Sequence, residues 1–136
     1  MRDAPTARWH VVPDLELLRS KPALERRRAV ATLGRVGDER AVEFLSACLL
    51  DPDVDVTHDA AKMLAQVGTD GAIAGLLAVA SNDASPVVRR VVATVALADV
   101  AAISERAVIA LRALAADRDP WLVSAAKHAL VRLMRY

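Results

Sequence analysis

The residues able to do chemistry are few and stand far apart. The histidines are His10, His58 and His128, and the one cysteine is Cys48. Metal ligation needs such donors, with carboxylates, converging on one point. The three histidines fall in different segments, so no metal site is expected. His58-Asp59 reads as a helix-start cap or a surface pair. Cys48 would need a nearby base to act as a nucleophile, yet it stands three residues after Leu45, beside an apolar stripe, where a buried structural thiol belongs. No Gly-x-Ser-x-Gly and no phosphate-cradling glycine loop occurs. A concave-face carboxylate such as Glu43, beside an apolar floor, would suit an acid or base. The inventory predicts no catalytic residue, no cofactor, and a protein that is more an interaction module than an enzyme.

Arg26-Arg27-Arg28 and Arg89-Arg90, with Trp9 and Trp121, are the only hint of nucleic-acid binding. Phosphate neutralisation needs a basic excess, and 18 basic against 17 acidic residues leave a net charge of +1. These arginines are expected to pair with Asp51, Asp53 and Asp83 of neighbouring segments.

Helices must carry all of these residues. Hydrophobic residues make up 54% and aromatics 3%, so the core is aliphatic. Five Gly and six Pro are too few for a turn-rich β-sandwich. The length suits one domain. Internal repetition is legible: Glu39-Arg40-Ala41-Val42 recurs as Glu105-Arg106-Ala107-Val108, with Asp70-Gly71-Ala72-Ile73 between. The spacing implies a unit of about 33 residues, the size of a helical solenoid repeat. Arg26 to Gly37 aligns with Thr57 to Gly68, with Arg89 to Leu97 and with Ser124 to Leu130. Pro22, Pro52, Pro86 and Pro120 stand near the starts, where a missing N–H costs nothing. Gly37 and Gly68 fall where a left-handed helix stop needs them. First helices are predicted over 23–35, 54–67, 86–99 and 120–134, and second helices over 38–50, 70–81 and 104–116. Asp38, Asp70 and Ser104 cap or charge the second-helix starts. Residues 13–20 read as a short capping helix, so 1–20 form an N-terminal segment and 21–136 the repeat domain.

This pattern, an acidic or proline turn, Arg-Arg, Ala-Ala, Leu-Gly, a Gly-Asp turn and Ala-Val-x-x-Leu, resembles the HEAT-like repeats of the phycobilin lyase class over about residues 21–134. The resemblance implies an all-α, right-handed α-α superhelix of about three and a half hairpins. It also implies that second helices line a concave side. HEAT-like di-iron hydroxylases carry repeated His-Glu dipeptides; this chain has none, so that activity does not transfer. HEAT-like DNA glycosylases pair a basic concave surface with aromatics and a catalytic Asp, whereas the arginines here begin first helices.

One helical stripe on the second helices should be core: Ala41, Val42, Leu45, Leu49; Ala72, Ile73, Leu76, Ala80; Ala107, Val108, Leu111, Ala115. The opposite stripe should meet solvent: Glu39, Arg40, Glu43 and Ala47; Ala74, Gly75, Ala78 and Ser81; Ile109, Ala110, Ala113 and Ala116. Between Gly71 and Asp83 no residue is charged until Asp83 itself. Short residues there either let neighbouring helices pack closely, leaving little apolar area exposed, or leave a small-residue groove floored by Ala74, Gly75, Ala78, Ile109 and Ala113, with Glu39, Arg40, Glu105, Arg106 and Arg112 at its rim and Glu43 beside its floor. Its occupant would be a protein partner or a second copy. The alternative is an enzyme, or subunit of one, holding a hydrophobic small molecule; that reading requires a closed pocket and a buried ionisable group from the rim. On the last helix, Trp121, Leu122, Ala125, Ala129, Leu130 and Leu133 are expected to point inward. Met1 to Pro5 is polar, and Val91 to Ile103 is too short to span a bilayer, so a cytoplasmic protein is expected.

Overall fold

The computed structural model describes residues 20–134; the expected capping helix at 13–20 lies, except for its last residue, outside them. Among the described residues seven α-helices follow in order: α1 (Ala23–Val36), α2 (Glu39–Cys48), α3 (Val54–Val67), α4 (Asp70–Ala80), α5 (Val87–Ala101), α6 (Glu105–Leu114) and α7 (Pro120–Leu133). No strand occurs among the described residues. The odd helices pack in sequence, α1 on α3 on α5 on α7, and the even helices do the same. Each helix also packs on its neighbours in the chain, which makes a two-layer α-α solenoid. Turn chemistry sets the boundaries. Gly37 and Gly68 stop α1 and α3 at φ of 63° and 64°, a conformation only glycine adopts freely. Asp38, Thr69 and Ser104 cap α2, α4 and α6 through their side chains. The cap of α4 is thus Thr69, with Asp70 in the first turn favouring the positive end of the dipole. The third unit has no glycine stop, and α5 runs on to Ala101 before a right-handed end at Ala102.

Phe44, Leu45, Leu64, Ile73, Leu76, Leu97, Leu111 and Leu122 are the large, fully buried side chains of one continuous core. The expected stripe is core except that Val108 and Ala115 are half-buried. Three residues expected at the surface are not there, and Ala47 is one of them, half-buried on α2. Ala110 is 3% exposed, because α6 turns that side toward its neighbours. Gly75 sits in the seam between α4 and α2, where a Cβ would press on the Ser46 hydroxyl.

Gly34 lets α1 come close to α3: an added Cβ would lie 2.7 Å from Met63 Cγ and 2.9 Å from its Cβ. Glycine in a helix normally costs about 1 kcal/mol relative to alanine. Gly75→Ala should recover up to about that amount, since the Ser46 hydroxyl can rotate aside. Gly34→Ala should instead lose about 1–2 kcal/mol net, because Met63 must shift with its own Cβ. Urea denaturation of the two variants checks the opposite signs; a stabilised Gly34→Ala protein would show that α1 and α3 are not this close.

Candidate functional site

Arginines lock the turns rather than forming a basic surface. Arg26 clasps Asp51 in the α2–α3 turn, Nε to Oδ2 at 2.9 Å and a second N–H to Oδ1 at 3.1 Å. Arg27 pairs with Asp59 on α3 at 2.7 Å. From α5, Arg89 reaches back to donate to the Leu49 carbonyl and to Thr57 Oγ1. Arg90 bridges the turns on either side of its hairpin: its Nε donates to the Ala80 carbonyl at 2.9 Å, and the guanidinium holds Asp117 at 2.7 Å and Asp83 at 3.5 Å. The expected partners Asp51 and Asp83 are thus engaged, while Asp53 caps α3 instead. Asp117 was not foreseen, since a turn 27 residues downstream meets Arg90 only through stacking. The Asp117 carboxyl is held below the usual carboxylate range, first by the Asp119 N–H and then by Arg90.

The chemistry-bearing residues stay apart. His58 and His128 are exposed on α3 and α7, and His10 lies outside the described residues. Cys48 is buried, and burial pushes its thiol up to about 12, which removes the reactive thiolate. No group of three or more His, Cys, Asp or Glu side chains able to hold a metal forms among the described residues.

The predicted groove residues lie as follows. Glu39, Arg40, Glu43, Glu105, Arg106 and Arg112 are all exposed, and Arg106 pairs with Asp70 at 3.3 Å in the open. Ala74, Ala78, Ile109 and Ala113 are exposed on the even layer; Gly75 alone is drawn into a seam. No rim residue is buried, as a closed enzyme pocket would require. A cleft of about 700 Å³ lies at the C-terminal edge between Ala101, Ala102, Val108, Arg112, Leu130, Leu133 and Met134. There Arg112 occupies the position that half-buried Leu77 holds one unit earlier.

The surface that departs most from expectation is on the odd layer. Helices α3, α5 and α7 start 33 residues apart, at Val54, Val87 and Pro120. Equivalent solvent-facing positions therefore compare directly. On α3 they hold Asp55, His58, Asp59 and Lys62; on α5 they hold Val88, Val91, Val92 and Val95. Val88 is 55% and Val95 51% exposed. Beside them Trp121, expected inward, is 71% exposed, because it occupies the outer position equivalent to Val88 in the first turn of α7. Two shallow troughs flank the valine ridge. One of about 320 Å³ lies between Val87, Val88, Val91, Val92 and Trp121. The other, about 330 Å³, runs along α3 and has His58, Lys62 and Asp99 as its polar edge. The signal was available in sequence: a helix whose apolar residues run all the way round, Val87-Val88 then Val91-Val92 then Val95, cannot bury them all unless it is covered on every side.

The family model for HEAT repeats matches residues 15–98, more than half of the chain. The chain belongs to the HEAT repeat family. Among solved structures it is similar to human deoxyhypusine hydroxylase in complex with glycerol, with 25% sequence identity and a TM-score of 0.70. That likeness covers 90% of this chain but 44% of the hydroxylase, so the chain spans less than half of that enzyme's length. Comparison with curated protein sequences returns no match. The match supports the repeat family; the phycobilin lyase subtype is not distinguished by it. No helix among the described residues is long and apolar enough to cross a membrane.

Proposed function

We propose that this chain is a non-catalytic interaction module of the HEAT repeat family, working in the cytoplasm and docking a protein surface on the valine face of α5. One observation carries the reading: Val88 and Val95 stand in solvent, with half-buried Val91 and Val92 between them, at positions where the preceding unit carries two carboxylates, a histidine and a lysine. Together with Trp121 they expose on the order of 400 Å² of apolar surface, the size at which a patch on a monomer marks a binding site. The open troughs and the solvated rim of the even layer favour a scaffold over an enzyme with a closed pocket. Nucleic acid fits poorly, because Arg26, Arg27 and Arg90 are already engaged by Asp51, Asp59 and Asp117.

A second surface has an observation of its own. Helix α4 exposes Ala74 and Ala78 with no charged residue after Asp70, and Ile109 on α6 is 59% exposed. Quantitative affinity capture with Val95→Glu and Ala78→Glu separates the two. A specific partner retained by wild type and Ala78→Glu, but lost at least about tenfold by folded Val95→Glu, is the expected pattern. Retention by Val95→Glu would remove the valine face, and loss by Ala78→Glu alone would move the site to the even layer.

A further inference from the structure

We infer that the occupant of the valine face is a second copy of this chain, packed antiparallel about a twofold axis that runs across the helices at the level of Val91 and Val92. The inference rests on the reading of that face as a docking surface and names what covers it. Its warrant is register. Because α3, α5 and α7 share one 33-residue offset, two rows cross the face: Asp55, Val88 and Trp121 in one, Lys62, Val95 and His128 in the other. The rows are seven residues apart, two helical turns on the same side. All six residues are exposed.

A twofold axis midway between the rows exchanges them. Val88 then meets the second copy's Val95, Asp55 meets its Lys62, and Trp121 meets its His128, and each pair forms twice. Val91 and Val92 pack on their own counterparts. Asp99 comes over the start of the second copy's α5, whose first turn holds no acidic residue, and where the helix dipole is positive. The parallel alternative, with the axis along α5, would set Lys62 over His128 and Asp99 over Asp99. Charge thus selects the antiparallel arrangement. About 400 Å² of apolar surface from each copy, with the α3 and α7 rims, reaches the low end of specific interfaces near 1,200 Å² in total. A reversible dimer is the consequence.

Sedimentation equilibrium of the full chain tests this over a range from about 1 μM to about 500 μM, the span of weak to moderate affinities. The mass should rise from 14.5 kDa toward twice that value. Val95→Glu should stay monomeric throughout, with circular dichroism showing an unchanged fold. Lys62→Glu and Asp55→Lys should each weaken the dimer about tenfold, and the double variant should return to within about threefold of wild type, since it restores both pairs. Val91→Cys should cross-link to itself under mild oxidation, while buried Cys48 leaves the wild type unlinked. A wild type monomeric at every concentration overturns the inference. So does a dimer that Val95→Glu leaves intact, or a double variant no better than the singles. If the wild type is monomeric yet Val95→Glu still abolishes capture of another protein, the interaction module stands and only its self-pairing falls.

Discussion

Arg90→Ala is expected to cost about 3 kcal/mol of stability, a drop in melting temperature on the order of 10 °C for a domain of this size. The arginine is 5% exposed and on helix α5 joins two separate turns. Truncation leaves the Ala80 carbonyl without its donor and Asp117 without its cation, and it empties the channel that the side-chain stem fills. Asp117 is partly open to water and can rehydrate, which keeps the loss at the lower end of what breaking a buried pair costs. Arg27→Ala is the control: its pair with Asp59 is exposed and screened, so little measurable change should follow. Acid adds a second readout. A carboxyl depressed in the folded state contributes stability that is present above its unfolded value, near 3.9, and is lost as pH falls through the folded one. The wild type should therefore weaken as the pH drops below about 4. In Arg90→Ala this acid loss should shrink without vanishing, because the Asp119 N–H, the larger cause, remains. Urea titrations at pH 7 and pH 3 measure both effects, and a loss under about 1 kcal/mol at pH 7 would refute the clasp.

Leu97→Ala should cost about 4 kcal/mol, toward the upper end for leucine truncation. Leu97 is fully buried on α5, the helix that packs against α3, α4, α6 and α7 at once. A cavity there is walled by elements from both directions along the array, none of which can collapse without pulling on the next. The repeat supplies its own controls. Leu64 on α3 is equally buried, whereas Leu130 on α7 is only half-buried at the end of the array. The expected order of loss is Leu97 at least equal to Leu64, with Leu130 well below both. Because stability in a repeat array is passed between neighbours, Leu97→Ala should also broaden the urea transition as the two ends uncouple. A sharp transition with equal losses at Leu97 and Leu130 would contradict that picture.

Helix starts, glycine stops, the core stripe and the buried thiol at Cys48 were all legible in the linear order of residues. They depend on local dihedrals, on capping within three residues and on a 3.6-residue period, and a sequence displays all of these directly. The pairing of arginines with turn aspartates was legible as a type of contact. Which aspartate each arginine takes was not, because the distance from Arg90 to Asp117 depends on how far one hairpin advances over the next. The candidate site divides the same way. An uncharged stretch on α4 is visible in one dimension, but the withdrawal of Gly75 into the seam with Ser46, and of Ala110 into the core, depends on the rotation of each helix about its own axis. Likewise the apolar character of α5 is written in its residues, while the choice of which valines stay in water belongs to the stacking. The four neighbours of α5 cover every side except the one that carries Val88 and Val95, with Val91 and Val92 left half-covered at its edges. Local chemistry determined the helices and their ends; only the lateral packing of one unit on the next decided which apolar surface was left uncovered, since burial is a property of neighbours and not of sequence position.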